Sequence, residues 1–133
     1  MAKTRLEEIL EKGIYGTPEI RPEERKLFLS TISERVYLVL TNTQVRTKGM
    51  YNEVEEVMKK HSNVHLYLNG FLSYQHYSNY IKAATKQSVP FTIINDGHET
   101  PLGLVLASQQ AIDSQAEFFI KDDNFYKDIP EEK

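Results

Sequence analysis

Apolar positions along the chain change period several times, and each change marks an element. Leu6, Ile9 and Leu10 fall at helical spacing behind Thr4-x-x-Glu7, a capping box in which hydroxyl and carboxylate satisfy reciprocal backbone amides. Gly13 follows as a residue free to take positive φ. This predicts a short helix over 5–12, then a turn-rich connector through Ile14-Tyr15-Gly16-Thr17-Pro18. Pro22 suits a first helical position, and Glu23 and Glu24 complement the dipole of the first turn. With Leu27 and Phe28 as its buried side, a second helix is expected over 22–31.

Val36-Tyr37-Leu38-Val39-Leu40 is apolar throughout, the pattern of a central strand covered on both faces. Thr41-x-x-Gln44 is a second capping box. Behind it, Met50, Val54, Val57 and Met58 recur at helical spacing, predicting a helix that ends near His61. Gly49 interrupts it, and Asn52-x-x-Glu55 restarts it. Val64 to Leu68 alternates, with Val64, Leu66 and Leu68 on one face and His65 and Tyr67 on the other. Asn69-Gly70 turns the chain. Ser73 then caps a helix to about Gln87, with Tyr74, Tyr77, Ile81 and Ala84 on its stripe. Phe91-Thr92-Ile93-Ile94 reads as a third strand, and Pro90 is tolerated at its entry.

Leu102 to Ala107 is apolar and ambiguous by period. Thr100 and Pro101 could start a helix. The Asp96-Gly97 turn and Val105 favour a strand as the second arm of a hairpin, and the strand reading is preferred. Residues 117–121 are expected to pair late with the sheet, and 121–133 to form a polar tail. The order is α-α-β-α-β-α-β-β, with right-handed crossovers placing helices over the sheet. One domain spans 1–133: a helical arm over 1–34, an α/β core over 35–120, and the tail.

Composition narrows the chemistry. The 133 residues include no cysteine, so disulfide partners, thiolate nucleophiles and cysteine zinc sites are excluded. No apolar run approaches the roughly 18 residues of a membrane span. The N-terminus lacks the apolar core of a signal peptide, so a cytoplasmic location is expected. The net charge of −3 is uneven. Residues 121–133 carry three basic and five acidic side chains, two of the three excess negative charges. No acid lies between Glu56 and Asp96, a stretch holding Lys59, Lys60, Lys82 and Lys86 with His61, His65 and His76. A mildly acidic chain thus has a basic, aromatic-rich middle.

Phosphate-loop, dinucleotide-binding and nucleophile-elbow signatures are missing, as is any paired-histidine metal spacing. The Asp96-Gly97-His98-Glu99 loop is the densest polar cluster and could hold a metal or do acid–base work, but a solvated turn explains it more simply. No metal and no cofactor are expected. If the first three strands are parallel, Thr41, Asn42, Asn69, Asn95 and Asp96 converge beyond their carboxyl ends, where open α/β sheets bind ligands. Asn and Asp also sit at such places simply as caps and turns. Arg35, at the entry to the first strand, is read as a salt-bridge partner of Glu34 or Glu23, with an anion site as the sharper alternative; Tyr15, Arg21 and Arg46 are similar connector residues. The candidate ligand-binding set is Thr41, Asn42, Asn69, Asn95, Asp96, His98 and Arg35.

The blocks Tyr15-Gly16-Thr17-Pro18-Glu19-Ile20-Arg21-Pro22-Glu23-Glu24 and Leu29-Ser30-Thr31-Ile32-Ser33-Glu34-Arg35-Val36 resemble the opening signature of the YueI-like family of short Bacillus-type bacterial proteins. Leu68-Asn69-Gly70, Phe91-Thr92-Ile93-Ile94-Asn95 and Gly103-Leu104-Val105-Leu106-Ala107 extend the resemblance over nearly the whole chain. It implies an α+β or α/β fold with a β-α-β-α-β-β mixed sheet, similar to Bacillus-type chorismate mutase and, more loosely, to L30e ribosomal proteins. It favours the hairpin reading of 91–107 and implies no activity and no catalytic residue. The function expected is a non-enzymatic binding or interaction domain. The alternatives are an L30e-like RNA-binding domain using residues 57–95 on a weak RNA or other anionic ligand, and an oligomeric small-molecule enzyme with sites between subunits of a homo-oligomer.

Overall fold

The computed structural model describes residues 27–95, 100–112 and 118–129. The expected helix at 5–12, the first half of the one at 22–31, and the Asp96–Glu99 loop lie outside them. At its described end the second helix gives way to a turn, in which Leu29 and Ser30 take positive φ. Leu27, Phe28 and Leu29 are buried, as the spacing predicts for the first two.

After a 3₁₀ turn at Ser33–Arg35, four strands and four helices follow: β1 (Val36–Thr41), α1 (Asn42–Arg46), α2 (Asn52–Lys60), β2 (Val64–Asn69), α3 (Tyr74–Lys86), β3 (Phe91–Ile94), β4 (Leu102–Ser108) and α4 (Asp123–Asp128). The expected interruption near Gly49 separates α1 from α2, and Gly49 itself has positive φ.

The strands form one mixed sheet in the order β1-β4-β2-β3. β4 runs antiparallel to both β1 and β2, and β3 runs parallel to β2. β1, β2 and β3 therefore share a direction, and their carboxyl ends share an edge with the start of β4.

Residues 102–108 are a strand, but residues 91–107 are not a hairpin, because β2 lies between β3 and β4. β4 takes the inner position, and all seven of its residues are buried. That is the physical meaning of its unbroken apolar run: a strand flanked on both sides and covered on both faces has no polar position to offer. β1 has the same composition yet sits at the outer end of the sheet. Its outer edge is covered by a short parallel bridge to Phe119, with the Val39 amide donating to the Phe118 carbonyl at 2.9 Å. The expected late pairing of 117–121 is thus a single bridge.

Two cores fill the two faces. On one, α1, α2 and α3 cover the sheet, and Val45, Val54, Met58, Tyr77, Tyr80 and Ala84 meet Leu38, Leu40, Leu66, Leu68, Leu104 and Leu106. On the other, Leu27–Leu29, Phe125 and Ile129 meet Val39, Leu102, Val105 and Ala107. Residues 121–129, the described part of the expected polar tail, are therefore not merely polar. Asp122 caps α4, and α4 delivers Phe125 to the core, where its ring meets Phe119 edge-on at 5.3 Å.

The stripe of α3 also differs from expectation. Tyr77, Tyr80, Ala83 and Ala84 are its buried positions, while Tyr74 is 61% exposed. Tyr80, which the expected stripe does not include, is fully buried, and its hydroxyl accepts from the Tyr51 amide at 3.0 Å. A polar hydroxyl can take a core position when a backbone amide is there to meet it.

Candidate functional site

The carboxyl edge of β1, β2 and β3 gathers four of the residues singled out from sequence, Thr41, Asn42, Asn69 and Asn95, and bonds of Asn42 and Asn69 cross it. Thr41 closes the expected capping box: its amide donates to Gln44 Oε1 at 2.8 Å, and its hydroxyl accepts from the Gln44 amide at 3.4 Å. Asn42 donates through Nδ2 to the Thr100 carbonyl at 2.9 Å. Its Oδ1 accepts from Asn69 Nδ2 at 3.3 Å, and Asn69 Nδ2 also donates to the Leu102 carbonyl at 3.1 Å. Asn69 Oδ1 accepts from the Phe71 amide at 2.9 Å, turning the chain out of β2. Asn42 and Asn69 thus join β1, β2 and the start of β4, Thr41 caps α1, and the polar side-chain atoms of all three are engaged within the fold.

Asn95 is different. It is exposed at the end of β3, and its carboxamide packs against Gly70, where a β-carbon would collide with it. Gly70 is glycine because of this close approach. Phe71 follows, 62% exposed, and Tyr74 opens α3. Among the described residues, the exposed part of the edge thus includes Asn95 with two aromatic side chains on the neighbouring loop and helix. Asp96 and His98 lie outside the described residues. Arg35 sits at the opposite end of β1. Its Nε is buried without a hydrogen-bond partner among the described residues.

A second polar system, not anticipated from sequence, lies behind α1. Gln44 Nε2 donates to the Ile120 carbonyl at 2.7 Å and to Asp122 Oδ1 at 3.0 Å. Tyr51 donates its hydroxyl to Asp122 Oδ2 at 2.5 Å, and Asn124 Nδ2 donates to the Tyr51 hydroxyl at 3.3 Å. Thr43 donates twice to Asp128, from its amide at 2.6 Å and its hydroxyl at 2.9 Å. Burial acts to raise the Asp122 carboxyl, but hydrogen bonds from Tyr51, the Phe125 amide and Gln44 hold it below its ordinary value. Burial, and then the Asp122 carboxylate, hold the Tyr51 phenol above its own ordinary value. Gln44 was legible as a cap. Its partners, more than seventy residues away, left no local signal.

On the opposite face of the sheet from α2 and α3, His65 and Tyr67 stack at 4.5 Å, and His65 Nε2 meets the Thr92 hydroxyl at 2.8 Å. Burial holds the His65 imidazole below its ordinary value. The four lysines of the middle region are exposed on α2 and α3, across the sheet from this pair. The lysines thus lie in the same helical layer as Tyr74, Tyr77 and Tyr80 of α3, and the sheet separates them from His65 and Tyr67. Among the described residues there is no group of three His, Asp or Glu able to hold a metal ion, and no helix long and apolar enough to cross a membrane.

Residues 3–117 match the model of a family described as "Protein of unknown function (DUF1694)". The chain belongs to this family. It is 40% identical over 130 residues to "Uncharacterized protein YueI" of Bacillus subtilis (strain 168), covering 97% of this chain and 98% of that one. The crystal structure of the YueI protein from Bacillus subtilis superposes with a TM-score of 0.80, covering 94% of this chain and 98% of that one. The YueI-like resemblance carried by the sequence blocks is therefore a family membership. In this chain the block Leu68-Asn69-Gly70 is the β2 exit, and Gly103 to Ala107 lies in β4, one of the two inner strands.

Proposed function

We propose that this protein is a cytoplasmic binding or interaction domain without catalytic chemistry of its own, and that its ligand surface is the carboxyl edge of the parallel strands. One observation carries this reading. The polar groups of Thr41, Asn42 and Asn69 are consumed in holding the edge together, while Asn95, Phe71 and Tyr74 are left exposed beside them. A rigid, internally bonded base with an amide and two aromatic rings on its rim suits recognition of a planar apolar group by stacking, with one hydrogen bond to orient it. Thr41, Asn42 and Asn69 act as its scaffold, with Asp96 and His98 as further ligand contacts beyond Asn95, and Arg35 as an anion contact outside this edge. The sheet's likeness to Bacillus-type chorismate mutase and L30e proteins belongs to this proposal as a fold analogy, which names no ligand.

The test is titration of the full chain with benzamide, benzoate and phenyl phosphate, followed by amide chemical shifts. Perturbations centred on Phe71, Tyr74 and Asn95, lost in Phe71→Ala/Tyr74→Ala, support the reading. Absence of perturbation there with all three probes overturns it.

A second reading, binding of single-stranded RNA, is favoured by the half-exposed His65–Tyr67 stack with Thr92 beside it on a sheet face, since unstacked bases pack on such rings. A short oligouridine at low salt would then shift His65, Tyr67 and Thr92. A flat titration under those conditions, where phosphate contacts are strongest, removes this reading.

A further inference from the structure

The two ends of the sheet are treated differently. β1 has its outer edge bridged by Phe119. Among the described residues β3 pairs with β2 alone. The Leu66 amide donates to the Pro90 carbonyl and the Gly70 amide to the Ile94 carbonyl, both at 2.9 Å. In a parallel ladder the backbone groups of alternate residues face the same neighbour. Pro90, Thr92 and Ile94 therefore turn their backbone groups toward β2, and Phe91 and Ile93 turn theirs outward. Phe91 is 40% exposed and Thr92 is exposed. No charged residue interrupts 90–95, so the edge lacks the lysines and inward charges that usually protect one.

We propose that this edge is an interface between two copies of the chain, which pair antiparallel through β3 about a two-fold axis at Thr92. The argument for a second copy as occupant is self-complementarity. With Thr92 opposite Thr92 of the second copy, Phe91 falls opposite Ile93 of that copy, and Ile93 opposite its Phe91. Each of these is an outward-facing residue meeting an outward-facing residue, so both pairs exchange two backbone hydrogen bonds. Four bonds form and no outward group of Phe91 or Ile93 is left over. Side chains agree with the backbone. Phe91 and Ile93 lie on the face covered by α3, so the exposed Phe91 ring packs on Ile93 of the second copy. The two Thr92 side chains meet on the other face as a cross-strand threonine pair. A shift of one residue would pair outward with inward groups and lose every bond.

The association is weak and reversible, because the strand is only four residues long. Pairing also brings two copies of α3 into one layer. That helix carries Lys82 and Lys86 and no acid, so added salt strengthens the dimer by screening.

Sedimentation velocity on the full chain tests the proposal. The weight-average sedimentation coefficient should rise with concentration toward about 1 mM, and rise further with salt. Thr92→Lys and Thr92→Glu each place like charges across the axis and should remain monomeric, while their equimolar mixture should recover the dimer. Far-UV circular dichroism checks that both variants fold. Independently of any variant, hydrogen exchange of the wild-type chain should show the Phe91 and Ile93 amides gaining protection with concentration, while the Thr92 amide is protected throughout. A monomer at every concentration overturns the proposal. So does a dimer indifferent to Thr92→Lys, or a charge mixture that stays monomeric.

Discussion

At the scale of single residues, Asp122 shows how a charge can be committed to structure. It caps α4, receives Gln44 and is the acceptor for Tyr51. Its carboxyl titrates lower in the folded chain than its ordinary 3.8. The unfolded chain therefore binds more protons around that pH, and stability rises with pH through the window. The contribution is complete above the unfolded value and is lost as pH falls through the folded one. Asp122→Asn should cost about 1–2 kcal/mol near neutrality and flatten this acid limb, read from urea unfolding between about pH 3 and 7. An unchanged acid limb would show that the network is not linked to folding. Gly103 illustrates a different constraint. A β-carbon there would come within 2.9 Å of Val45 Cγ2 and 3.0 Å of Asn42 Oδ1. Gly103→Ala should destabilise by about 1–3 kcal/mol through overpacking, and should disturb the Asn42 and Asn69 side-chain amide resonances first. The α3 tyrosines mark where residue-level reading stopped. Helical spacing alone put Tyr74 on the buried stripe, whereas α3 buries Tyr77, Tyr80, Ala83 and Ala84, and Tyr80 is admitted by the distant Tyr51 amide.

Elements were legible wherever the signal was local. The Thr41 capping box, the break at Gly49, the alternation of Val64 to Leu68 and the helix after Ser73 all appear as their spacing predicts, although Ser73 stands at the N-cap position without a side-chain cap bond. Strand order was not legible. Val36–Leu40 read as a covered central strand and Leu102–Ala107 as the second arm of a hairpin, and which strand is inner depends on pairings that no window contains. The candidate edge was legible as a convergence, because strand direction follows from right-handed crossovers. Its use as an internal latch was not, because that depends on the Thr100 and Leu102 carbonyls some sixty and thirty residues along. α4 is the element whose sequence conceals it most. Among acids and lysines, Phe125, Tyr126 and Ile129 record its docking, and Phe125 and Ile129 are buried beside Val39 and Val105. Phe125→Ala should therefore cost about 3–5 kcal/mol, a value typical of core phenylalanines, rather than the few tenths expected of a solvated tail. Thermal unfolding would separate the two outcomes.

At the scale of the molecule, the sheet is closed by its last strand. β1 and β2 are parallel but do not touch, and each pairs with β4, which follows β1 by some sixty residues. Until Leu102–Ser108 arrives, β1 has no strand partner in the sheet and the core under α1 and α2 is missing Leu104 and Leu106. Such long-range pairing makes the loop-closure entropy a cost met before the pairing stabilises anything, so folding should be slow for a chain of this size and strongly cooperative. It also ranks the strands by protection. β4 is bonded on both sides and buried along its whole length, so its amides should exchange only through global unfolding, with the largest opening free energy in the molecule. β3, bonded on one side only, should open locally, its Phe91 and Ile93 amides exchanging fastest in dilute solution. A chain ending at Pro101 keeps three of the four strands and all three helices of one layer, yet should show no dispersed amide spectrum, because the strand that joins β1 to β2 is gone. A folded sheet in that truncated chain would mean that β1 and β2 can be held together by the helices alone, and that β4 completes the core without organising it.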